Sequence, residues 1–161
     1  MLASEVKKYL MVFLDTEREI DNQIERLEIL NGKLYSVGSP EITDMPRNPS
    51  PSNDRVSELL SRKDDCEKKV GKLLELQKKR RSVFEHVIDK VSGSDKRSVI
   101  DLRYMEGVRW DQICESLFGE REDFDERRDT YMRRVMRLHG WALQDMAGII
   151  ESEGLEEVLR P

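Results

Sequence analysis

Residues 2–37, LASEVKKYLMVFLDTEREIDNQIERLEILNGKLYSV, carry the pattern that decides the fold. An apolar residue recurs at every seventh position along one line: Val6, Phe13, Ile20, Leu27 and Leu34. A companion line consists of Leu2, Tyr9, Leu30 and Val37, with Thr16 and Gln23 interrupting it, and Leu10 and Ile24 flank the seam. Two such lines are typical of a long helix that packs along a partner helix in a coiled coil.

The same pattern returns beyond residue 54. Its two lines are Val56, Lys63, Val70, Gln77, Phe84 and Val91, and Leu59, Cys66, Leu73, Arg80 and Val87, with Leu60, Leu74 and Ile88 widening the stripe. Four of the five prolines fall within residues 38–52, which predicts an exposed, flexible Pro/Ser loop, with Ser52 or Asn53 capping the next helix. Two long helices joined by such a loop fold back most simply into an antiparallel coiled-coil hairpin, here residues 1–92.

Polar residues interrupt the heptad lines of both helices: Thr16, Gln23, Lys63, Gln77 and Arg80. Such residues set register and partner choice at some cost in stability. Because an isolated two-helix hairpin buries little apolar surface, we expect a homo-oligomer through this arm, most simply a dimer.

The composition agrees with long helices. Of the 161 residues, 38% are charged, 37% are hydrophobic and 6% are aromatic, which argues against a large α/β enzyme or a β-sandwich. We find no apolar run long enough for a membrane span and no signal peptide. Two cysteines without a CxxC motif indicate a reduced, cytoplasmic environment, and two histidines are too few for a histidine-based metal site.

The pattern of apolar residues in residues 93–150 differs from that of the long helices and predicts shorter helices. A first helix is expected from Asp95 to Met105, with Glu106 and Gly107 ending it. One face of a second helix carries Trp110, Ile113, Cys114 and Leu117. An acidic stretch, residues 120–126, precedes a long final helix whose apolar stripe is Tyr131, Val135, Leu138, Ala142, Met146 and Ile149, and an acidic tail, residues 151–161, is expected to be solvated.

The side of the final helix opposite its stripe is basic. It carries Thr130, Arg133, Arg137, Gly140 and Trp141, with Arg134 beside them. Residues 127–137 hold five arginines and one acid, a local charge of +4 in a chain of net charge −5. Arginine is well suited to grip phosphate and to read guanine. A short helix, a turn and a longer helix with an arginine face are the layout of a helix-turn-helix.

Two segments resemble known DNA-binding proteins. Residues 99–113, VIDLRYMEGVRWDQI, resemble the helix-turn-helix of the sigma-factor promoter-reading domain, of the form L-R-Y-x-E-G-x-x-x-x-x-I. Residues 131–143, YMRRVMRLHGWAL, are similar to the recognition helix of the sigma-like phage and prophage regulators of the RinA/ArpU late-activator type. The resemblance implies double-stranded DNA binding, activation of late phage genes in an infected bacterial cell, and contact with host RNA polymerase.

One departure from that pattern leaves two questions open. The connection between the two helices, Gly119 to Thr130, is longer and more acidic than in sigma-type modules. The recognition helix therefore begins anywhere from Asp123 to Thr130, and Arg127 and Arg128 point either to DNA or to the acidic loop. A calcium loop is not expected, because the stretch lacks the twelve-residue ligand spacing and the central glycine.

These observations predict an all-α protein in which a sigma-like helix-turn-helix follows the coiled-coil hairpin. The predicted DNA-binding residues are Thr130, Arg133, Arg134 and Arg137, and the further candidates for contacts to the DNA backbone are Arg109, Arg128 and Trp141. We expect no enzyme activity, cofactor or metal, because no catalytic motif is present. The alternatives are a small terminase-like packaging protein and a coiled-coil adaptor that does not bind DNA.

Overall fold

The computed structural model describes residues 1–38 and 51–161, with side chains described for 1–37 and 54–161. Its elements are α1 (Ala3–Gly38), α2 (Pro51–Lys90), α3 (Ser94–Ile100), a π-helical turn (Asp101–Met105), α4 (Trp110–Phe118), α5 (Arg128–Glu153) and α6 (Glu156–Leu159). The described part of the chain contains no strand, so the prediction of an all-α protein is confirmed. Across the same ranges, no helix is both long and apolar enough to cross a membrane.

Helices α1 and α2 are the two long helices that the heptad lines predict, with 36 and 40 residues. Their contacts pair the residues in opposite order: the Gln77 side-chain amide donates to the Phe13 carbonyl oxygen at 2.8 Å, and the Cys66 thiol donates to the Gln23 carbonyl oxygen at 3.4 Å. This is the order of two helices that run in opposite directions. Gln77, a polar residue on a heptad line, thus donates its side-chain N–H to the main chain of α1.

The start of α2 differs from the sequence prediction. The helix begins at Pro51, so Ser52 and Asn53 lie within it instead of capping it. Proline is favoured at the first helical position, where the N–H group that it lacks would have no partner. The predicted flexible loop lies largely in residues 39–50, which are outside the described residues.

The middle of the long helices forms one compact unit, Thr16–Leu76, which we call the arm unit. Its core is small: Leu30, Leu59 and Cys66 form one buried cluster, and Ile20 and Val70 are also buried. Three residues that flank or widen the apolar stripe, Ile24, Leu60 and Leu74, are 40%, 52% and 48% exposed.

The other compact unit, which we call the head unit, comprises Met1–Asp15 and Gln77–Pro161. Its main core combines residues from the ends of both long helices, such as Phe13 and Phe84, with residues of α5, such as Met146. The chain ends also pack here, because Gly154 ends α5 in the left-handed conformation (φ 65°) and Leu159 of α6 is buried. Leu159 therefore anchors the C-terminal segment to the core, while Glu151, Glu153 and Glu157 are exposed, in agreement with the solvated acidic tail that the sequence suggests.

Candidate nucleic-acid interface

The turn that links α3 to α4 in the head unit is defined by a backbone hydrogen bond and by the conformation of a glycine. Helix α3 continues into the π-helical turn, which ends where the Glu106 N–H donates to the Asp101 carbonyl oxygen at 3.1 Å. Gly107 follows with φ 68°, a conformation that side chains with a Cβ rarely adopt. This is the break that the Glu106–Gly107 pair predicts, and it sends the chain into α4 at Trp110.

A second apolar core holds α3, α4 and α5 together. Its buried members are Val99, Ile113, Cys114, Phe118, Phe124 and Val135. Burial raises the pKa of the Cys114 thiol, so this cysteine is a packing residue rather than a reactive thiolate. The predicted apolar face of α4 and the stripe of α5 meet in this core, which fixes the opposite side of α5 toward solvent.

His139 belongs to the interior of the head unit. Its Nε2 atom lies 3.0 Å from the hydroxyl oxygen of the buried Tyr104, and its ring contacts Trp110 edge to face at a centroid distance of 5.0 Å. Burial, together with the positive charges of Lys7 and Arg103, lowers the pKa of His139 to about 4. The imidazole is therefore neutral at physiological pH and packs from α5 against Tyr104 and Trp110.

The carboxylates of the acidic connection before α5 interact with neighbouring arginine and tyrosine side chains. The Tyr131 hydroxyl donates to the Asp123 carboxylate at 2.6 Å, and this bond, together with Arg127 at 3.6 Å, holds the pKa of Asp123 below its usual range. Arg128 lies 3.9 Å from Asp125, and its guanidinium stacks over the Phe124 ring at 5.1 Å. Although α5 begins at Arg128, the side chains of Arg127 and Arg128 both lie against the acidic connection.

Phe124 is 5% exposed and anchors the connection in the second core. Among the described residues no group of three or more His, Cys, Asp or Glu side chains is placed to hold a metal ion.

Helix α5 presents the predicted basic face to solvent. Thr130, Arg133, Arg134 and Arg137 are all exposed. Arg133 and Arg137, one turn apart, form no ion pair or hydrogen bond with any residue that the structure describes, and they lie opposite Val135, Ala142 and Met146. Arg134 stacks its guanidinium over Phe118 at 5.0 Å, which limits its freedom to turn away from α4.

The remaining candidates have different surroundings. Arg109 donates two hydrogen bonds to Asp111, at 3.2 and 2.8 Å, although its own side chain is 75% exposed. Trp141 is 52% exposed and, with Leu138, lines a shallow groove against residues 93–96. The structure thus brings Arg133, Arg137 and Trp141 to one side of α5 and leaves Arg109 at the start of α4.

Sequence reasoning missed one positioning residue of this region. Arg103 donates to the Val108 carbonyl oxygen at 3.1 Å, and its guanidinium lies over the Trp110 ring at 5.1 Å. It therefore braces the turn that leads into α4. The signal was present, because Arg103 is the arginine of the L-R-Y motif and Trp110 follows it by seven residues.

Comparison with known proteins gives one result. No curated protein and no solved structure matches the chain. A model of a protein family of unknown function, DUF1492, matches residues 49–135, which is more than half of the chain and runs from the start of α2 into α5. The chain is therefore a member of the DUF1492 family, whose function is unknown.

Proposed function

We propose that this protein is a sequence-specific double-stranded DNA-binding transcription regulator of the sigma-like type found in phages and prophages. The observation that carries the proposal is the exposed side of α5, where Arg133 and Arg137 stand one turn apart without partners among the described residues. In this proposal α4 and α5 are the two helices of a helix-turn-helix, and α5 enters the major groove. A late-gene activator that contacts host RNA polymerase is the specific role that the sequence resemblance suggests.

The electrostatics of the head unit support this role despite the net charge of −5. Asp123 and Asp125 are paired with Arg127 and Arg128, so part of the negative charge beside α5 is neutralised within the connection. Arg133 and Arg137 keep their full charge for a ligand. Arginine can bind a guanine edge with two hydrogen bonds or grip a phosphate, whereas a lysine would act only as a point charge.

The arm supplies self-association in the proposal. Antiparallel α1 and α2 would form a coiled-coil hairpin, and a homodimer through this hairpin would present two copies of α5 to two half-sites. An adaptor that does not bind DNA is the alternative, and the exposed acidic residues Glu120, Glu122 and Glu126 favour it.

The test is a binding titration with duplexes selected from a random pool, at two salt concentrations. Arg133→Ala and Arg137→Ala should each cost ~1–3 kcal/mol of affinity and relax preference at one base pair if the arginine reads guanine. If an arginine grips only phosphate, affinity should fall evenly across sequences and depend less on salt.

A matched control tests whether the loss of affinity depends on the positions of these arginines or only on the removal of two positive charges. The double variant Arg55→Ala, Arg62→Ala removes the same two charges from exposed positions of α2 and should bind as the unmodified protein does. The proposal fails if the double variant Arg133→Ala, Arg137→Ala keeps its melting temperature and its DNA affinity, or if the unmodified protein binds no duplex at low salt.

A further inference from the structure

The two edges of the arm unit differ in chemistry. One, which we call the apolar edge, consists of Glu17, Ile24, Asn31, Leu60, Glu67 and Leu74, which flank the seam on one side. The other, which we call the basic edge, consists of Glu19, Arg26, Lys33, Arg55, Arg62, Lys69 and Leu76. The ion pair between Glu19 and Lys69, at 3.1 Å, shows that the basic positions of both helices lie on the same side.

The apolar edge exposes more hydrophobic surface than a solvated edge requires. Half of its six members are large apolar residues, and Ile24, Leu60 and Leu74 are 40%, 52% and 48% exposed. On the basic edge one of seven is apolar. Five apolar residues of this unit are buried, namely Ile20, Leu30, Leu59, Cys66 and Val70, so the exposed apolar side chains are a large part of what it can still bury.

The charges on each edge determine whether two copies of the protein could pack together through that edge. The basic edge carries five cations and one anion, a net charge of +4, so two copies of it would repel each other. The apolar edge carries two anions, Glu17 and Glu67, and Glu67 already lies 3.8 Å from the Lys63 ammonium in the preceding turn. Self-association is therefore far less opposed at the apolar edge.

We propose that the apolar edge is the contact surface for a second copy of this chain, with the two α2 helices antiparallel and Leu60 of each copy against Leu74 of the other. The proposal deepens the self-association proposed for the arm. Leu60 and Leu74 lie at equal distances on either side of Glu67, ~21 Å apart along the helix axis. A twofold axis beside Glu67 therefore brings each leucine onto the other, as an isologous interface requires.

The charges near that axis are compensated. Each Lys63 is placed between the Glu67 of its own chain and the Glu67 of the second copy, so the two carboxylates share two ammonium groups. With the axis beside Glu67, residues 58–76 of the two α2 helices face each other over ~27 Å, and two helices ~10 Å wide then cover about 540 Å² per copy, or ~1,080 Å² in total. That area clears the ~1,000 Å² that a specific protein–protein interface needs.

The test measures the mass of the full chain in solution by sedimentation and light scattering over a range of concentrations. The unmodified protein should have twice the chain mass of 18.9 kDa. Leu60→Glu and Leu74→Lys should each weaken dimerisation on the order of 100-fold or more, because the symmetric interface receives each new charge twice. The double variant Leu60→Glu, Leu74→Lys should restore the dimer, since opposite charges then face each other.

Leu76→Glu is the control, because Leu76 is 41% exposed but lies on the basic edge. It should leave the dimer intact, and circular dichroism should show full helicity for every variant, since all three positions are partly solvated. A monomeric unmodified protein, equal dissociation by Leu76→Glu, or failure of the double variant to restore the dimer would each overturn the proposal. A monomer that still binds duplex DNA would overturn this contact surface and leave the DNA-binding function standing.

Discussion

Acidification is the perturbation for which the structure gives the most direct energetic consequence, through His139. This histidine is 7% exposed, and burial lowers its pKa to about 4 in the folded protein from the ordinary value of 6.5. Between these two values the unfolded chain binds more protons than the folded one, so the free energy of unfolding falls as the pH falls. The stabilisation is complete above the unfolded value and is lost progressively toward pH 4.

The size of this effect follows from linkage between protonation and unfolding. A difference of about 2.5 pKa units corresponds to ~3 kcal/mol over the whole range, of which ~2 kcal/mol is lost between about pH 7 and pH 5. The carboxylates whose pKa values are lowered, such as Asp123 and Glu153, lose their stabilising effect mainly at lower pH, because their ordinary values are 3.8 and 4.5. The interval between pH 7 and pH 5 therefore reports chiefly on histidine.

The assay is urea denaturation at a series of pH values, accompanied by NMR titration of the two histidines. The variant His86→Gln identifies the His139 resonance, and His139→Gln should flatten the pH dependence between pH 7 and pH 5. In the folded protein the His139 resonance should titrate near pH 4. A His139 resonance that titrates near its ordinary value, in a protein that remains folded, would refute the burial argument.

Two further substitutions test the arm and the acidic connection. Gly71→Ala should raise the free energy of unfolding by ~0.5–1 kcal/mol in thermal denaturation, because Gly71 is within α2 and an added Cβ would meet open space; an unchanged melting curve would contradict this. If the proposed function holds, Asp123→Asn should strengthen duplex binding evenly across sequences and steepen its salt dependence by about one unit, because it releases Arg127 from its carboxylate partner. Unchanged affinity for random duplexes at low salt would show that Arg127 does not reach DNA.

The candidate site was predictable where a single helix defines it. The periodicity of α5 was sufficient to place Val135 inside and Arg133 and Arg137 outside, because both follow from the helical repeat alone. The surroundings of Arg128 were not predictable in the same way. Its stacking on Phe124 and its pairing with Asp125 depend on where the connection folds and where α5 begins, and no local period encodes either.

In the long helices, too, the heptad pattern predicts which residues are apolar but not which of them are buried. Leu10 and Ile24 occupy equivalent heptad positions of α1, yet Leu10 is fully buried and Ile24 is 40% exposed. Ile88 and Leu74 are equivalent in α2 and differ in the same sense, with 5% and 48% exposed. Leu10 and Ile88 belong to the core that contains α5, whereas Ile24 and Leu74 belong to a unit of two helix segments. A seven-residue repeat indicates which side of a helix is apolar. Whether that side is buried depends on the other segments that pack against it. At Ile24 and Leu74, we propose that the segment that buries them belongs to a second copy of the chain.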